Sequence, residues 1–297
     1  MNREGPANVH RIILFTVLFS TLLTRFASAD TNTAPVPPLK LCVATYNLRF
    51  ASSQRPNSWA QRRPVMRECL RQLAPDLIGT QEGLLAQLKD IAADLPEFDW
   101  IGTGRDGGDR GEFMAIFYRR DRFTPLATNH FWLSDTPEVV ASSTWGNNCK
   151  RMVTWVRFRE RDSRREFYFF NTHLDHEVEA ARQKGAQLIR ERVAALKTGL
   201  PLLLTGDFNS AAGRSRAHDI LVKEGGFADT WPAAKTRVNE SFNSFNGFQP
   251  PKQNGSRIDW ILTSGPVTVE HAEIVTFAKA GQFPSDHFPV TARLVFP

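Results

Sequence analysis

The sequence contains few cysteines. Its 297 residues include only Cys42, Cys69 and Cys149, and none of them stands in a CxxC or Cys/His spacing. An odd count allows at most one disulfide, and the missing ligand spacing argues against structural zinc. The fold must therefore be held by a hydrophobic core, in which Cys42 and Cys69 are expected to be buried as small apolar side chains.

Long hydrophobic runs are also missing, apart from one near the amino terminus. That run, Ile12 to Leu23, has about half the length that a membrane-spanning helix requires. It follows a short basic segment and precedes the small residues ASA, which end at Ala29. This pattern predicts a signal peptide over residues 1–29 with cleavage after Ala29, although a retained anchor is the alternative. We therefore expect a secreted or periplasmic protein without stable membrane insertion.

Dense runs of lysine and arginine are absent as well. The net charge is +6, and removal of three arginines and one glutamate with residues 1–29 would leave +4. Such a mildly basic chain suits an anionic substrate, but it lacks the basic runs of a protein that mainly grips a nucleic-acid backbone. Charge alone therefore does not choose the substrate class.

What is present indicates an ordinary globular domain, with 41% hydrophobic and 23% charged residues. Residues 30–39 are rich in Thr, Asn and Pro and are interpreted as a linker, and residues 40–297 as one domain. Neither a second linker nor an internal repeat interrupts that domain. We expect it to be a monomer.

Hydrophobic periodicity predicts an alternation of strands and helices. The predicted strands are 41–47, 76–82, 112–120, 151–158, 166–174, 201–207, 257–263 and 288–296, and the predicted helices are 58–73, 83–95 and 177–197. The strands 151–158 and 166–174 flank a polar turn, which indicates an antiparallel hairpin in a mixed sheet. The prediction is an α/β fold with two mixed sheets packed face to face and helices outside, a four-layer sandwich.

Polar residues recur at the predicted carboxyl ends of these apolar strands. They are Asn47, Glu82, His173, Asp207, Asn209 and Asp259, with Asp286 and His287 just before the last strand. Buried polar groups cost free energy unless they have partners, and α/β folds bind ligands at these strand ends, so a shared site is expected. Carboxylate and amide oxygens favour Mg²⁺ or Mn²⁺, ions that usually act together with a substrate phosphate. Phosphate ester hydrolysis is the leading prediction.

Six ordered motifs carry a family resemblance. They are YNLRF (46–50), TQEG (80–83), NTHLDH (171–176), TGDFN (205–209), RIDWI (257–261) and PSDHFPV (284–290). Together they resemble the endonuclease/exonuclease/phosphatase superfamily, which has a deoxyribonuclease-I-like fold, and in particular its secreted bacterial members.

The resemblance implies a role for each matching residue. Glu82 would be the principal metal ligand, with Asn47 beside it and Asp286 completing the site. Asp207 would orient or deprotonate the attacking water, Asn209 would hold the phosphate, and His287 would stabilise the pentacovalent charge.

The deoxyribonuclease branch of this family pairs each histidine with a carboxylate. Here the resemblance implies the pairs Glu112 with His173 and Asp259 with His287, in which the acid fixes the tautomer of the ring. Arg151 matches a phosphate-contacting arginine of that branch.

The resemblance weakens where that branch inserts side chains into the minor groove. Those positions hold Leu84 and Arg110 here, so we do not expect this protein to recognise double-stranded DNA by inserting these side chains into its minor groove. The repair-endonuclease branch has an acidic ligand where this sequence has Arg49. The loop Gly102–Gly111 lies just before Glu112 and is interpreted either as a substrate contact or as a plain glycine turn.

The sequence thus predicts a secreted divalent-metal-dependent phosphoesterase that hydrolyses phosphodiester bonds, with nucleic acid or oligonucleotides among its candidate substrates. Two alternatives stay open. One is a phosphatase or phosphodiesterase for small or lipid-linked phosphates, and the other is a non-catalytic binding module of the same fold.

Overall fold

A computed structural model describes residues 38–297, together with Met1, Asn2 and Gly5. The predicted signal peptide and nearly all of the predicted linker therefore lie outside the described residues. From residue 38 onward the chain belongs to one compact unit. Within the described part of the chain, no helix combines the length and the apolar character needed to cross a membrane.

Strands and helices alternate along the described chain, as the periodicity predicts. The strands are β1 (Leu39–Asn47), β2 (Leu77–Gln81), β3 (Phe98–Ile101), β4 (Ile116–Arg119), β5 (Phe123–Trp132), β6 (Met152–Glu160), β7 (Glu166–His173), β8 (Leu202–Asp207), β9 (Ala228–Asp229), β10 (Thr236–Val238), β11 (Asp259–Ser264), β12 (Thr268–Ile274) and β13 (Val290–Phe296). The helices are α1 (Trp59–Leu73), α2 (Leu85–Asp94), α3 (Glu179–Ala195), α4 (Arg216–Val222) and α5 (Thr230–Ala233).

The strands form two mixed sheets. One sheet has the order β10-β12-β13-β1-β2-β4-β3, and the other has the order β5-β6-β7-β8-β11-β9. In the first sheet β1 runs parallel to β2, and in the second β7 runs parallel to β8. The predicted hairpin is present, because β6 and β7 pair antiparallel.

Successive side chains along the central strands point to opposite faces, and this alternation builds the layers. Val43 of β1 and Phe169 of β7 belong to the core between the two sheets. Their neighbours Ala44 and Phe170 point outward, Ala44 into a cluster with α1 and α2 and Phe170 into a cluster with α3 and α4. The predicted sandwich of two mixed sheets flanked by helices is confirmed.

The predicted strand 112–120 is shorter in the structure. Only Ile116–Arg119 forms regular pairs, while Phe113 makes isolated bridges to Gly83 and Gly104. The chain before β4 thus follows the glycine loop instead of the sheet, and Glu112 lies at the end of that loop.

The three cysteines are free thiols: Cys69 is buried and the other two are half-buried. Burial raises the pKa of Cys69 to about 12. It also raises the pKa of Cys42, helped by the nearby Asp76 carboxylate, to about 11. The expected burial is thus seen in full for Cys69 and in part for Cys42.

Candidate active site

The neighbouring strands bring the predicted site residues to one edge of the sandwich. His173 at the end of β7 lies opposite Asp207 at the end of β8. Asp259 lies at the amino end of β11, not at a carboxyl end as the sequence analysis assumed. Because β11 runs antiparallel to β8, Asp259 still lies opposite Asp207.

A cleft of about 400 Å³ opens at this edge. Its lining includes Glu82, Glu112, Arg151, His173, Asp207, Asn209, Asp286 and His287. The two other predicted residues, Asn47 and Asp259, are fully buried and contact lining residues from behind. The structure therefore brings all ten predicted residues together.

Asn47 connects two of the carboxylates. Its Nδ2 donates to Oε1 of Glu82 at 2.9 Å and to Oδ2 of Asp207 at 3.0 Å. Its Oδ1 accepts a hydrogen bond from the backbone N–H of Arg49 at 2.9 Å. Every polar atom of this amide is thus engaged, and Asn47 orients both acids.

Glu82 and Asp286 face a common cation. The Arg49 guanidinium lies 3.9 Å from Oε2 of Glu82 and 3.6 Å from Oδ2 of Asp286. Burial raises the pKa of Asp286, and the nearby Glu82 carboxylate raises it further. Glu82 has φ +62°, a left-handed conformation that costs about 1–2 kcal/mol and is typical of functional sites.

These oxygen donors fit a hard divalent cation. Two partly buried carboxylates, of which Glu82 raises the pKa of Asp286, provide the negative charge that Mg²⁺ or Mn²⁺ binds. Asp207, Asp259 and His287 also have ligand atoms within 4.8 Å of one another. That group is less suited to a metal, because the imidazolium already supplies a cation between the two acids. Glu82 and Asp286 are therefore the better candidates.

His287 is held between two acids. Its Nδ1 lies 3.0 Å from Oδ2 of Asp259, so this predicted contact is present, and its Nε2 lies 3.6 Å from Oδ2 of Asp207. Burial disfavours the charged ring, but Asp259 and Asp207 outweigh it and raise the pKa of His287 to about 10. Burial and the Asp259 charge raise the pKa of Asp207 to about 7.

His173 has the opposite charge state. Burial, assisted by the positive charges of Arg151 and Arg105, holds its pKa well below the ordinary value. Its Nε2 accepts a hydrogen bond from Nδ2 of Asn209 at 3.0 Å, and the same amide donates to the backbone carbonyl of Leu174. Asn209 thus fixes the tautomer of a neutral ring.

Glu112 does not pair with His173, in contrast to what the resemblance implied. Its carboxylate binds Arg105, with Nη1 at 2.7 Å and Nη2 at 3.0 Å. Among the described residues, Nδ1 of His173 has no hydrogen-bond partner. The glycine loop explains the difference, because it folds back so that the backbone N–H of Arg105 donates to the carbonyl of Glu112.

Arg151 is almost fully buried in the wall of the cleft. Its Nη2 lies 2.9 Å from Nδ1 of His176, and its Nε lies 3.5 Å from Oδ2 of Asp175. Asp175 and His176 therefore serve to hold Arg151 in place.

Some cleft residues were not singled out in the sequence. Arg105, Cys149, Phe245 and Ile258 also line the cleft. Arg105 lies in the glycine loop just before Glu112, and Phe245 lies in the segment SFNSFNGF (241–248), which precedes the RIDWI motif. The ring of Phe245 contacts that of His287 edge-on, with 5.0 Å between centroids.

Comparison with known proteins identifies the family to which this chain belongs. A model of the Endonuclease/Exonuclease/phosphatase family matches residues 44–287, and the chain belongs to that family. Its members are hydrolases that act on phosphate esters and generally depend on divalent metals.

Two solved structures from Bacteroides thetaiotaomicron are similar over nearly their whole length. One is a protein of the same family, 39% identical, with a TM-score of 0.82, covering 88% of this chain and 99% of that one. The other is a mannosyl-6-phosphatase, 39% identical, with a TM-score of 0.81, covering 86% of this chain and 100% of that one.

A more distant relative is the probable CCR4-Not complex 3'-5'-exoribonuclease subunit Ccr4 of Encephalitozoon cuniculi. It is 24% identical, and the match covers 62% of this chain and 44% of that protein. The matched regions span between 30% and 59% of the length of the curated relatives.

Proposed function

We propose that the protein is a divalent-metal-dependent phosphatase for small phosphate monoesters, with phosphorylated sugars as the substrate class. The observation that carries the proposal is the similarity to a mannosyl-6-phosphatase over the full length of that chain. The cleft supports it, because about 400 Å³ lies within the range of small-molecule sites. This choice favours the small-substrate alternative over the phosphodiesterase.

The metal would be held by Glu82 and Asp286, the two carboxylates that meet at Arg49. When bound there, a divalent cation would neutralise charge on the phosphoryl oxygens and polarise the ester for attack. Asn47 would keep Glu82 and Asp207 in fixed relative positions through its two hydrogen bonds.

Asp207 would accept the proton of the attacking water. A carboxylate with a pKa near 7 is well matched to proton transfer at neutral pH. His287, held cationic by Asp259, would donate from Nε2 to a phosphoryl oxygen as negative charge develops. Arg151 would contact another oxygen. Both Nδ2 hydrogens of Asn209 are used by His173 and by the carbonyl of Leu174, so Asn209 would hold the neutral His173 ring instead of the phosphate.

A phosphodiesterase acting on nucleic acid is the second candidate. The similarity to the exoribonuclease subunit Ccr4 favours it. The modest net charge and the absence of dense basic runs argue against a long polyanion as substrate. A non-catalytic binding module fits less well, because the cleft holds together the carboxylates, amide and histidines to which the family resemblance gives catalytic and metal-binding roles.

A substrate comparison tests the proposal. Purified protein with Mg²⁺ or Mn²⁺ is given mannose 6-phosphate, glucose 6-phosphate, bis-para-nitrophenyl phosphate, and single-stranded RNA and DNA. We expect release of inorganic phosphate from the hexose phosphates at a higher kcat/KM than cleavage of either diester class. Preferred cleavage of the polymers, with affinity falling steeply as salt rises, would instead support the nuclease candidate.

We further propose that the protein is exported, that residues 1–29 are removed, and that the mature chain acts as a monomer. The apolar run and the small residues ending at Ala29 support the first two points. The intact mass of the protein recovered from its native compartment tests the cleavage site, and its mass in solution tests the monomer.

A further inference from the structure

The Arg105–Glu112 pair occupies the wall of the cleft beside His173. Both side chains line the cleft, and each is 16% exposed. The pair is bidentate, because each Nη of Arg105 contacts a different oxygen of Glu112. It is therefore a fixed, partly open, charged surface in the same cleft as Asp207 and His287.

The glycine loop that carries Arg105 is held rigidly. A side chain at Gly104 would meet the backbone oxygen of Arg110 at 2.0 Å, so only glycine allows this close turn. The indole Nε1 of Trp132 donates to the carbonyl of Arg105 at 2.8 Å, and Lys150 pairs with Asp106 at 2.6 Å. Arg105 is thus positioned before any ligand binds, which lowers the entropic cost of recognition.

The charge of the pair limits which chemical group can face it. A second phosphate would have to break the bidentate pair to bind Arg105 and would then face an uncompensated Glu112 carboxylate. An apolar group would leave two charged side chains without water. A hydroxyl is both donor and acceptor, and it can accept from a spare N–H of the guanidinium while donating to a spare lone pair of the carboxylate. Neighbouring hydroxyls of a sugar fit this arrangement best.

We propose that Arg105 and Glu112 form the subsite that binds the hydroxyl groups of the leaving alcohol, so that the enzyme selects polyhydroxylated phosphate monoesters. This inference rests on the proposed phosphatase function. It gives Arg105 a role in specificity, and it gives Glu112 a substrate contact in place of the contact with His173.

The test compares two phosphate esters of primary alcohols of similar size, and the change in their ratio between variants cancels any difference in leaving-group reactivity. Mannose 6-phosphate carries ring hydroxyls, and cyclohexylmethyl phosphate has a six-membered ring without them. We expect the wild-type protein to prefer the sugar phosphate. The variant Arg105→Met should lower this preference, measured as the ratio of the two kcat/KM values, by about tenfold or more, mainly through a higher KM for the sugar.

Two further variants keep the test independent of folding. Arg105→Lys retains the charge but loses the bidentate contact, and it should give an intermediate ratio of the two kcat/KM values. Arg110→Met removes the same charge from an exposed position of the same loop, where the side chain donates to the backbone carbonyl of Asp106, and should leave the ratio intact. Melting temperatures verify that all variants are folded.

Each outcome separates the subsite from the overall function. If both kcat/KM values fall equally in Arg105→Met, or if neither falls, the subsite proposal is overturned while the phosphatase stands. If the wild-type protein hydrolyses neither ester, the phosphatase proposal and the subsite fall together.

Discussion

At the scale of single residues, the surroundings of two buried histidines, His287 and His173, favour opposite charge states. Two acids raise the pKa of His287 to about 10 against the effect of burial. Burial and two arginines hold the pKa of His173 well below its ordinary value. One ring is therefore a cation that can stabilise a phosphoryl oxygen, and the other is a neutral acceptor held by Asn209.

The first prediction concerns the contact between His287 and Asp259. Asp259→Asn and His287→Ala should each lower kcat by about two orders of magnitude or more, the scale of a lost charge-stabilising group. The double variant should cost little more than the worse single, because the two residues act as one unit. Effects that multiply fully across the double variant would show that they act independently.

A matched control for this cycle lies outside the cleft. His218 contacts Asp229 at 3.1 Å in a second buried histidine–carboxylate pair. His218→Gln should lower the melting temperature while kcat stays near the wild-type value.

The second prediction concerns the metal ligand. Glu82→Gln should raise the Mg²⁺ concentration needed for half-maximal activity and lower turnover at limiting metal, because a neutral amide replaces a charged ligand. Excess metal should partly restore the rate. A wild-type Mg²⁺ activation curve would remove Glu82 from the metal site.

Eight of the ten site residues could be predicted because each stands in a short motif next to a strand end, whereas Glu112 and Arg151 were predicted from the family resemblance alone. The partner of Glu112 could not be predicted in the same way. Arg105 lies in an aperiodic glycine loop, and its contact depends on how that loop folds back onto Glu112. The ion pair between Arg105 and Glu112 therefore cannot be predicted from the spacing of residues in the sequence.

At the scale of secondary structure elements, α1 supplies a buried arginine that ties the site loops together. Arg62 is 0% exposed and donates to backbone carbonyls of two separate loops. Its acceptors include the carbonyls of Leu48, Phe50 and Pro284, which adjoin the segments that carry Arg49 and Asp286. One side chain thus joins the loop after β1 to the loop before β13.

The third prediction follows from these contacts. Arg62→Lys should lower the melting temperature by roughly 5–10 °C, because several buried carbonyls lose their donors. It should also weaken activation by Mg²⁺, since the loops carrying the carboxylates lose their common anchor. Arg63→Met is the control, because Arg63 pairs with Asp90 and Asp94 at the surface and such pairs contribute little. A thermal loss with unchanged Mg²⁺ activation would make Arg62 purely structural.

The fourth prediction concerns pH and β5. Burial lowers the pKa of His130 to about 4, below its ordinary value of 6.5. As the pH falls through this window the unfolded chain takes up a proton that the folded chain refuses, so stability falls. His130→Gln should therefore lose less melting temperature between pH 6.5 and pH 4 than the wild type. Equal losses would show that this ring does not titrate as described.

The elements that could be predicted are those with strong periodicity or long apolar runs, such as β7, β8 and α1. The strand β5 was missed because half of its side chains are exposed and because Pro125 stands at a bulge. The strand β3 has only four residues and β12 contains charged positions. Such strands form because they pair with neighbouring strands, and this pairing cannot be recognised from the periodicity of the local sequence.

At the scale of the whole molecule, the sandwich makes an active site from residues distant in sequence. Asn47 and Asp207 are 160 positions apart, yet they share a hydrogen bond because β1 and β8 lie in facing sheets that end at the same edge. The order of the motifs along the chain carried enough information to predict this fold. The substrate class depends instead on the residues of the cleft walls, and several of these lie outside the six motifs.

The central claim is that this edge hydrolyses a small phosphate monoester with a divalent metal and Asp207 as base. The most direct measurement is phosphate release from mannose 6-phosphate by the wild type and by Asp207→Asn, before and after metal removal with EDTA and readdition of Mg²⁺. The account predicts that EDTA abolishes the wild-type activity, that Mg²⁺ restores it, and that Asp207→Asn stays lower by about two orders of magnitude or more throughout. Phosphate release that survives both EDTA and the substitution would contradict it.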